Sequence, residues 1–395
     1  MVLISYFDIR ISIFLFLFQL NLFNLLTDAF TSPLFYLCPP MNFFNHEVRS
    51  SFEAKKNAQW IAYAPFVFQA SRALRDFGIL GYIESQKPNS VTIEEVAEKC
   101  NVSHYGARVL MEAGLGIGLL LLDDEKFRLS KTGFFILNDP MTKTNMDFTN
   151  DVCYEGLFRL DESIRSGKPE GLKVFGNWNT VYEGLSKLPS HVQQSWFGFD
   201  HYYSDEAFPH ALQTVFEDKP KKMLDIGGNT GKWAIQCVNH NPGVHVTIMD
   251  LPGQLEMAKK NVATAGLSHR ISFFENNILD SKNKFPSGFD AIWMSQFLDC
   301  FSDDEIVSIL SRCRDAVSEN GHVYILETLW DKQPFETAAF CLQMTSLYFT
   351  SIANGNSQMY SSKTFSKCVE RAGFKVVDQK DDIGVYHSLL KLTKI

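Results

Sequence analysis

A short apolar strand followed by a glycine-rich turn is the feature that most restricts how this chain can fold. The strand is predicted from Lys221 to Gly227, and the turn continues through Gly228 to Gly231, where residues 231–238 are predicted to begin a helix. These three glycines let the backbone turn tightly and approach a ligand at the strand's carboxyl end, beside a helix N-terminus. The pattern predicts a nucleotide-type ligand site at the edge of a parallel sheet.

Two acidic residues further restrict the class of ligand that this site can bind. Asp250 ends the next predicted strand and lies 19 residues beyond Gly231, where a carboxylate can accept hydrogen bonds from both hydroxyls of a ribose. Asp225 precedes the glycines, and its charge suits a cationic, methionine-like group but would repel the pyrophosphate of a dinucleotide. A structural turn that binds no ligand is the alternative that this pattern leaves open.

Length, net charge and cysteine spacing restrict the functions that the chain can have. The chain of 395 residues is long enough for two or more domains, and its net charge of −8 argues against a main role in binding nucleic acid. Its eight cysteines include no Cys-x-x-Cys pair. We therefore expect reduced thiols in packed positions, with neither a structural zinc site nor a disulfide framework.

Residues 41–145 are predicted to form an α-helical domain. Apolar periodicity predicts a helix over residues 53–80, which glycines then end. Thr92 and Glu95 have the spacing of a capping box, so another helix is expected to begin there.

The rest of this region predicts a winged helix. A helix over residues 104–114 precedes a β-hairpin formed by residues 119–130. Winged helices often bind DNA, but this helix offers only His104 and Arg108 to phosphates or bases, and the hairpin tip is acidic. A packing or dimerisation module is the interpretation that we favour.

Residues 146–216 are predicted to be a helical linker rich in aromatic side chains. Such side chains most often form core and interdomain packing, and a wall of a substrate pocket is the less common role. The residues concerned are Trp178, Tyr182, Trp196, Phe197, Phe199, His201, Tyr202 and Tyr203.

Residues 217–395 alternate predicted strands and helices, which is typical of a doubly wound α/β domain. After the glycine turn and Asp250, strands are predicted over residues 271–274, 289–295 and 321–328, and a terminal hairpin over residues 374–379 and 385–392. Helices are predicted over residues 303–317, 334–352 and 362–372.

From about residue 55 onward the chain resembles the plant-type and hydroxyindole-type small-molecule O-methyltransferases. The resemblance rests on an ordered set of segments: LDIGGNTG (224–231), MDLP (249–252), WMSQFLDCFSDDE (293–305), NGHVYILE (320–327) and ERAGF (370–374). It implies a Rossmann-like class I methyltransferase domain preceded by a winged-helix dimerisation domain, a homodimer, and S-adenosyl-L-methionine as cofactor.

The resemblance also implies a set of cofactor-binding residues. The glycines are expected to hold the methionine part and Asp250 the ribose. Asn277 stands where the family often has an acidic residue beside the adenine, so that contact is altered. The complete predicted set is Asp225, Gly227, Gly228, Gly231, Asp250, Leu251, Asn277, Ile278 and Ser295.

The catalytic residues depart from the family's pattern. The family's usual histidine base is replaced by Asp299, which could act as a general base if burial raised its pKa or could only anchor its loop. Glu327 matches a glutamate that orients the base. A second such glutamate is missing, with Gln358 or Met359 at that place, and His201 or His210 could reach the site from the linker.

The predicted reaction is methyl transfer from S-adenosylmethionine to a hydroxyl of a small, aromatic molecule. Loss of the histidine need not abolish activity, because methylation of an acidic phenol can proceed through proximity and desolvation. The alternatives are N-methylation of a small amine, a catalytically weak regulatory protein that binds the cofactor, and a DNA-binding regulator, the last of which we expect to be excluded.

The first 40 residues do not fit this organisation. Residues 11–26 are apolar enough for a signal peptide or anchor, yet they are short for a bilayer span and contain Gln19, Asn21 and Asn24. The other interpretations are an apolar extension or translation begun upstream of Met41. We favour these two, since the cofactor is made in the cytosol, and we expect a cytoplasmic protein with membrane contact only if this segment is retained.

Overall fold

The computed structural model describes residues 44–204 and 206–395, so the predicted N-terminal extension, residues 1–40, lies outside the described residues. The chain divides into two compact units at residues 47 and 48. The described part of the first, residues 44–47, begins with a turn, and the second unit contains all the elements below.

The N-terminal helices begin where the sequence offers capping side chains. Ser50 and Glu53 form one capping box, and Thr92 and Glu95 form the predicted one. The prediction of a single helix over residues 53–80 is wrong, because three helices cover this stretch. The helices are α1 (Ser51–Ala62), α2 (Ala64–Asp76), α3 (Ile79–Ser85), α4 (Ile93–Lys99), α5 (His104–Ile117), α6 (Lys131–Asn138) and α7 (Pro140–Phe148).

Local chemistry accounts for the two breaks in that long helix. Pro65 lies in the first turn of α2, where its missing N–H costs no hydrogen bond, so α1 ends just before it. Gly78 adopts a φ of 76° between α2 and α3, a left-handed conformation that favours glycine. The hairpin follows as predicted, with β1 (Leu120–Asp123) antiparallel to β2 (Lys126–Leu129).

The middle of the chain is helical and irregular. It contains α8 (Leu160–Ser166), α9 (Val181–Gly184), α10 (Ser190–Ser204) and α11 (Phe208–Glu217), a π-helix (Thr149–Tyr154), and short 3₁₀ segments (Gly156–Arg159, Glu170–Val174, Leu185–Lys187). Its aromatic residues pack as expected. Trp178, Tyr182, Trp196 and Phe199 lie against a core cluster that includes Phe148 and Tyr348.

The C-terminal half is a seven-stranded sheet with the order β5-β4-β3-β6-β7-β9-β8. Its strands are β3 (Lys222–Ile226), β4 (His245–Asp250), β5 (Ile271–Glu275), β6 (Phe289–Ser295), β7 (Val317–Glu327), β8 (Phe374–Ile383) and β9 (His387–Lys394). The pairs among β3 to β7 are parallel, and the β8–β9 hairpin adds antiparallel strands at the β7 edge. This is the Rossmann-like α/β fold that the sequence predicted.

Helices cover the sheet. They are α12 (Lys232–His240), α13 (Pro252–Thr264), α14 (Asp303–Ala316), α15 (Glu336–Tyr348) and α16 (Ser362–Arg371), with a π-helical turn (Phe349–Ala353) after α15 and 3₁₀ turns at Leu298–Cys300 and Trp330–Lys332. Two apolar clusters hold the layers together. Within one of them Trp233 and Trp293 stack with ring centroids 3.8 Å apart.

Two strand boundaries differ from the sequence prediction. β7 begins at Val317 rather than at Gly321, and its register on β6 shifts between Phe289 and Ala291. β8 continues to Ile383 instead of ending at Gln379. Pairing with a neighbouring strand extends both elements over polar residues that show little apolar pattern of their own. Neither change moves the carboxyl ends of β3, β4, β6 and β7, where the predicted site lies.

Candidate active site

The glycine turn after β3 has the backbone conformation that its residues predicted. Gly227 and Gly231 adopt φ values of 72° and 80°, and Asn229 between them adopts 47°. A Cβ placed on Gly227 would lie 2.3 Å from the ring of Phe297, and one on Gly228 would lie 2.7 Å from Oδ2 of Asp225. The turn therefore has no room for larger side chains at Gly227 and Gly228, and it lies directly before the start of α12.

Asp225 lies almost completely buried at the end of β3, with 2% of its surface exposed. Within the described chain its Oδ2 atom has no hydrogen-bond partner. Burial, and then the negative charge of Asp250, raise the pKa of Asp225 to about 8. A buried carboxyl without a partner is costly, so this position fits a ligand that brings donors or positive charge.

Asp250 ends β4 beside the turn. Its Oδ2 accepts the backbone N–H of Asn229 at 2.9 Å, and its Oδ1 accepts that of Leu251 at 2.7 Å. Burial raises the pKa of Asp250, and these two N–H groups oppose that shift. Each oxygen retains a lone pair, so the held carboxylate can still accept from ribose hydroxyls.

A cleft of about 500 Å³ opens beyond Asp250, between the residues that follow β4 and β5. Leu251 and Asn277 line it, as expected of residues beside an adenosine, and so does Asn276, which the sequence analysis did not select. Asn276 is buried and its Oδ1 has no partner among the described residues, whereas Asn277 is exposed. Ile278 is partly buried against the sheet's core cluster.

The end of β6 contributes the remaining predicted cofactor residue. Ser295 is partly buried, and its Oγ has no partner in the part of the chain described. The next residue, Gln296, adopts a φ of 46°, and its side chain contacts the buried His387. This bend directs the chain into the 3₁₀ turn that carries Asp299.

Asp299 and Glu327 form a buried carboxyl pair. Glu327, at the end of β7, accepts the backbone N–H groups of Phe297 at 2.9 Å and Leu298 at 2.7 Å through Oε1. Its Oε2 has no partner among the residues described. Burial raises the pKa of Asp299 to about 7, and burial together with the nearby Asp299 charge raises the pKa of Glu327 well above its usual range. The pair therefore retains a proton near neutral pH.

Of the two residues expected near the place of the family's second glutamate, Gln358 is exposed and Met359 is buried. The sulfur of Met359 accepts the hydroxyl of Thr328 at 3.5 Å. A thioether cannot exchange protons with a base, so Glu327 is left without a matching second carboxyl at this position. Of the two histidines considered, His201 stacks on Phe197 and His210 is exposed on α11.

A cluster of aromatic side chains packs against Cys300, the residue after Asp299. The indole N–H of Trp196 donates to the hydroxyl of Tyr348 at 2.8 Å, and Phe148 stacks on Phe199 with centroids 4.0 Å apart. Tyr182 packs in the same cluster, and burial raises the pKa of its hydroxyl well above the usual value. These rings provide a flat, apolar setting next to the carboxyl pair.

The residues present fit S-adenosylmethionine. Asp225 and Ser295 carry buried polar atoms without described partners, the glycines leave a cradle that a Cβ would fill, and Asp250 is held with free lone pairs. Among the described residues, no group of three or more His, Cys, Asp and Glu side chains could hold a metal ion. The predicted cofactor residues thus lie at or just after the carboxyl ends of β3, β4, β5 and β6.

The described residues contain neither a disulfide bond nor a helix suited to span a membrane. The seven cysteines among the described residues have free thiols. None of the helices over residues 44–204 and 206–395 combines the length and the apolar character needed to cross a membrane.

Comparison with known families gives two matches within the chain. Residues 205–375 match an O-methyltransferase domain. Residues 55–127 match a Dimerisation2-like domain, from the middle of α1 to the first half of β2.

Characterised relatives are distant but span most of the chain. The L-tyrosine C(3)-methyltransferase of Streptomyces lavendulae is 24% identical over 80% of this chain and 85% of its own length. The 3-hydroxy-5-methyl-1-naphthoate 3-O-methyltransferase of Streptomyces sahachiroi is 24% identical over 67% and 76%. Bovine acetylserotonin O-methyltransferase is 24% identical over 60% and 66%.

Solved structures share the fold. The S-adenosylmethionine-dependent methyltransferase SibL superposes with a TM-score of 0.64 at 23% identity, covering 85% of this chain and 98% of its own. The O-methyltransferase NcsB1, solved with S-adenosylmethionine and 2-hydroxy-5-methyl naphthoic acid, gives 0.62 at 19% identity, covering 83% and 96%.

Proposed function

We propose that the chain is an S-adenosylmethionine-dependent O-methyltransferase with an N-terminal dimerisation domain, and that it methylates a hydroxyl of a small aromatic molecule. The observation that carries this proposal is the buried carboxyl pair of Asp299 and Glu327. The segment that carries Asp299 lies against the glycine turn at Phe297 and against the aromatic cluster at Cys300. When bound, S-adenosylmethionine supplies an electrophilic methyl group.

Residues at the carboxyl ends of the strands are the ones that we propose to contact the cofactor. We assign the ribose to Asp250, the methionine part to the turn from Gly227 to Gly231, and the adenine to the cleft beside Leu251 and Asn276. Asp225 lies beneath this turn and offers its unpaired oxygen to the positive end of the methionine group. Ser295 offers its hydroxyl from the neighbouring strand.

Asp299 is the proposed general base. With a pKa of about 7 it is partly ionised near neutral pH, so its carboxylate can take a phenolic proton without being a strong base. Glu327 holds the turn that carries Asp299 through two backbone N–H groups. Burial and the nearby Asp299 charge raise the pKa of Glu327 well above its usual range, so Glu327 is proposed to carry the proton that the pair retains.

A second candidate is a protein that binds the cofactor but catalyses poorly. Asp299 and Met359 replace two groups on which the family's chemistry depends, and this observation favours it. N-methylation of a small amine is also compatible with the site, because an amine needs no histidine base. Turnover assays separate these possibilities.

We further propose a homodimer and a cytoplasmic location. The dimer rests on the matched Dimerisation2-like domain and on helix α1, which buries no side chain within the described chain. The location rests on the cytosolic origin of the cofactor and on the free thiols of the described cysteines.

Calorimetry with S-adenosylmethionine and S-adenosylhomocysteine tests the proposal, followed by turnover of phenols, indoles and amines. We expect micromolar binding that Asp250→Ala abolishes, and methyl transfer to a phenol. Asp290→Asn is a matched control, because Asp290 carries a carboxyl at the start of β6, where it accepts backbone N–H groups of Lys221 and Lys222. Absence of binding by folded protein would contradict the proposal, and binding without turnover would favour the second candidate.

A further inference from the structure

The loop that follows β5, residues 276–285, forms a large part of one wall of the cleft beside Asp250. Four of the residues that line the cleft belong to this loop: Asn276, Asn277, Asn283 and Lys284. The structure describes every residue of the loop, and it shows turns there but neither a helix nor a strand. Its backbone carbonyls therefore need hydrogen-bond partners from outside regular secondary structure.

One side chain of helix α14 holds this loop. Nη1 of Arg312 donates to the carbonyl oxygens of Asp280 and Asn283, at 3.4 Å each. Its Nη2 donates to the carbonyl oxygen of Ile278. The guanidinium also lies 4.5 Å from the ring centroid of Phe285, which packs against the sheet's core cluster. Arg312 thus contacts four residues of the loop.

Arginine suits this position because its guanidinium has five N–H donors and no acceptor. Hydrogen bonds from a charged donor are also stronger than those between neutral groups. The loop's own backbone bonds are local: the N–H of Asp280 donates to the carbonyl of Asn277, and the N–H of Asn283 donates to that of Asp280. Such bonds shape turns, whereas the contacts of Arg312 fix the place of the loop relative to helix α14.

A second arginine makes the same kind of contact at the opposite end of β5. Nη1 of Arg270 donates to the carbonyl oxygen of Val238 at 2.8 Å. Its Nη2 donates to those of Asn241 at 2.6 Å and Val244 at 2.7 Å. Arg270 directly precedes β5, so these contacts lie at the amino ends of β4 and β5, whereas the cleft lies at their carboxyl ends. The two arginines therefore differ in place rather than in chemistry.

We propose that Arg312 is a positioning residue for the adenosine part of the cofactor, because it holds residues 276–285 in place as a wall of the cleft. The inference rests on the proposed function, which assigns the adenine to the cleft beside Leu251 and Asn276. Arg312 donates to carbonyls of the loop, so it acts on the cofactor through the loop and not by direct contact. A wall that is already ordered loses less conformational entropy when the ligand binds, which raises the affinity.

Calorimetry of S-adenosylhomocysteine binding to the full chain provides the first test. Arg312→Met keeps an apolar stem but removes the donors, and we expect it to raise the dissociation constant by about tenfold or more. Arg270→Met is the matched control, because it also removes three hydrogen bonds to backbone carbonyls. Its dissociation constant is expected to stay within about twofold of that of the wild type.

Amide hydrogen exchange of the ligand-free protein provides the second test. In Arg312→Met the amides of residues 276–285 should exchange faster than in the wild type, while those of the glycine turn, residues 227–231, should not change. In Arg270→Met the faster exchange should occur around residues 238–244 instead. Arg312→Lys is the milder variant if Arg312→Met does not fold. Its single ammonium cannot reach three carbonyls, so it should change both measurements in the same direction by a smaller factor.

Kinetics separate positioning from chemistry. With an acceptor found in the turnover assays, Arg312→Met should raise the KM for S-adenosylmethionine and leave kcat within about twofold of the wild-type value. A fall in kcat with an unchanged KM would overturn the inference, because Arg312 would then act on the chemical step.

The outcomes are distinct from those of the proposed function. If the wild type does not bind S-adenosylhomocysteine, the proposed function fails and the inference fails with it. If the wild type binds and Arg312→Met binds equally tightly, or if Arg270→Met loses as much affinity, the proposed function stands and the role of Arg312 is overturned. Weaker binding without faster exchange over residues 276–285 would overturn it as well, since Arg312 would not be acting through the loop.

Discussion

The backbone N–H of Leu298 donates to Oε1 of Glu327 at 2.7 Å and so joins residues 29 apart in the sequence. The N–H of Phe297 donates to the same oxygen at 2.9 Å. Through these two bonds a carboxyl at the end of β7 positions the turn after β6 that carries Asp299. The proposed base is thus held by tertiary contacts rather than by its own segment.

Replacing Glu327 with leucine is expected to destabilise the fold by about 2–4 kcal/mol, because two buried N–H groups lose their acceptor. Glu327→Gln keeps a carbonyl oxygen for them and should retain most of the stability while lowering the rate of methyl transfer. Urea denaturation of both variants measures the difference. Equal stability of the leucine variant and the wild type would show that the turn is held by other contacts.

Asp299→Asn is expected to lower kcat/KM by about 100-fold or more, because the carboxylate that takes the proton is gone. In the wild type kcat/KM should rise with pH through about 7, since Asp299 acts when ionised and burial raises its pKa to that value. The variant should lose this inflection. A pH profile that is the same in both proteins would exclude Asp299 as the base.

Because Asp225 is buried, we predict that the free energy of unfolding of the ligand-free protein falls as pH rises. Its pKa is raised from 3.8 to about 8 on folding, so its favourable contribution is complete below about 4 and is lost as pH rises toward and through 8. Asp225→Asn should therefore gain stability over the wild type as pH rises from 5 to 9, on the order of a few kcal/mol.

Urea denaturation at several pH values measures this difference for Asp225. The same variant should bind S-adenosylmethionine more weakly, because the carboxylate proposed to face the cationic methionine group is missing. A difference in stability that does not change with pH would show that Asp225 is already ionised in the ligand-free fold.

Gly228→Ala is expected to weaken cofactor binding by about tenfold or more, since its Cβ would lie 2.7 Å from Oδ2 of Asp225 and 2.8 Å from the Ile248 side chain. Gly253→Ala is the control, because a Cβ there meets no atom within 4 Å. Calorimetry with S-adenosylhomocysteine compares the two. Unchanged affinity in Gly228→Ala would mean that the turn can shift at little cost.

Substitutions on α1 test the proposed dimer. Trp60 and Ile61 are 38% and 67% exposed although they are large and apolar, and they would be covered by a second copy. We expect Trp60→Glu combined with Ile61→Glu to give a monomer in light scattering after size-exclusion chromatography. Lys55→Glu with Lys56→Glu, on the same exposed helix, tests whether added charge alone has this effect. A wild-type monomer would contradict the dimer directly.

The sequence by itself determined the features whose causes are local. The turn from Gly227 to Gly231 has the left-handed backbone that its glycines predicted, and the Thr92–Glu95 capping box forms, because both depend on neighbouring atoms alone. Alternating strands and helices were enough to predict the sheet, since parallel strands need helical crossovers. The position of Asp250 followed from the same pattern.

Tertiary structure alone decided which side chains meet. The sequence singled out Asp299 and Glu327 separately, but their shared burial and raised pKa values arise only when β6 and β7 pair. Asn276 rather than Asn277 is buried at the end of β5, because the backbone exit from the strand sets the direction of each side chain. Burial and long-range charge depend on atoms distant in the chain, and a local pattern does not contain them.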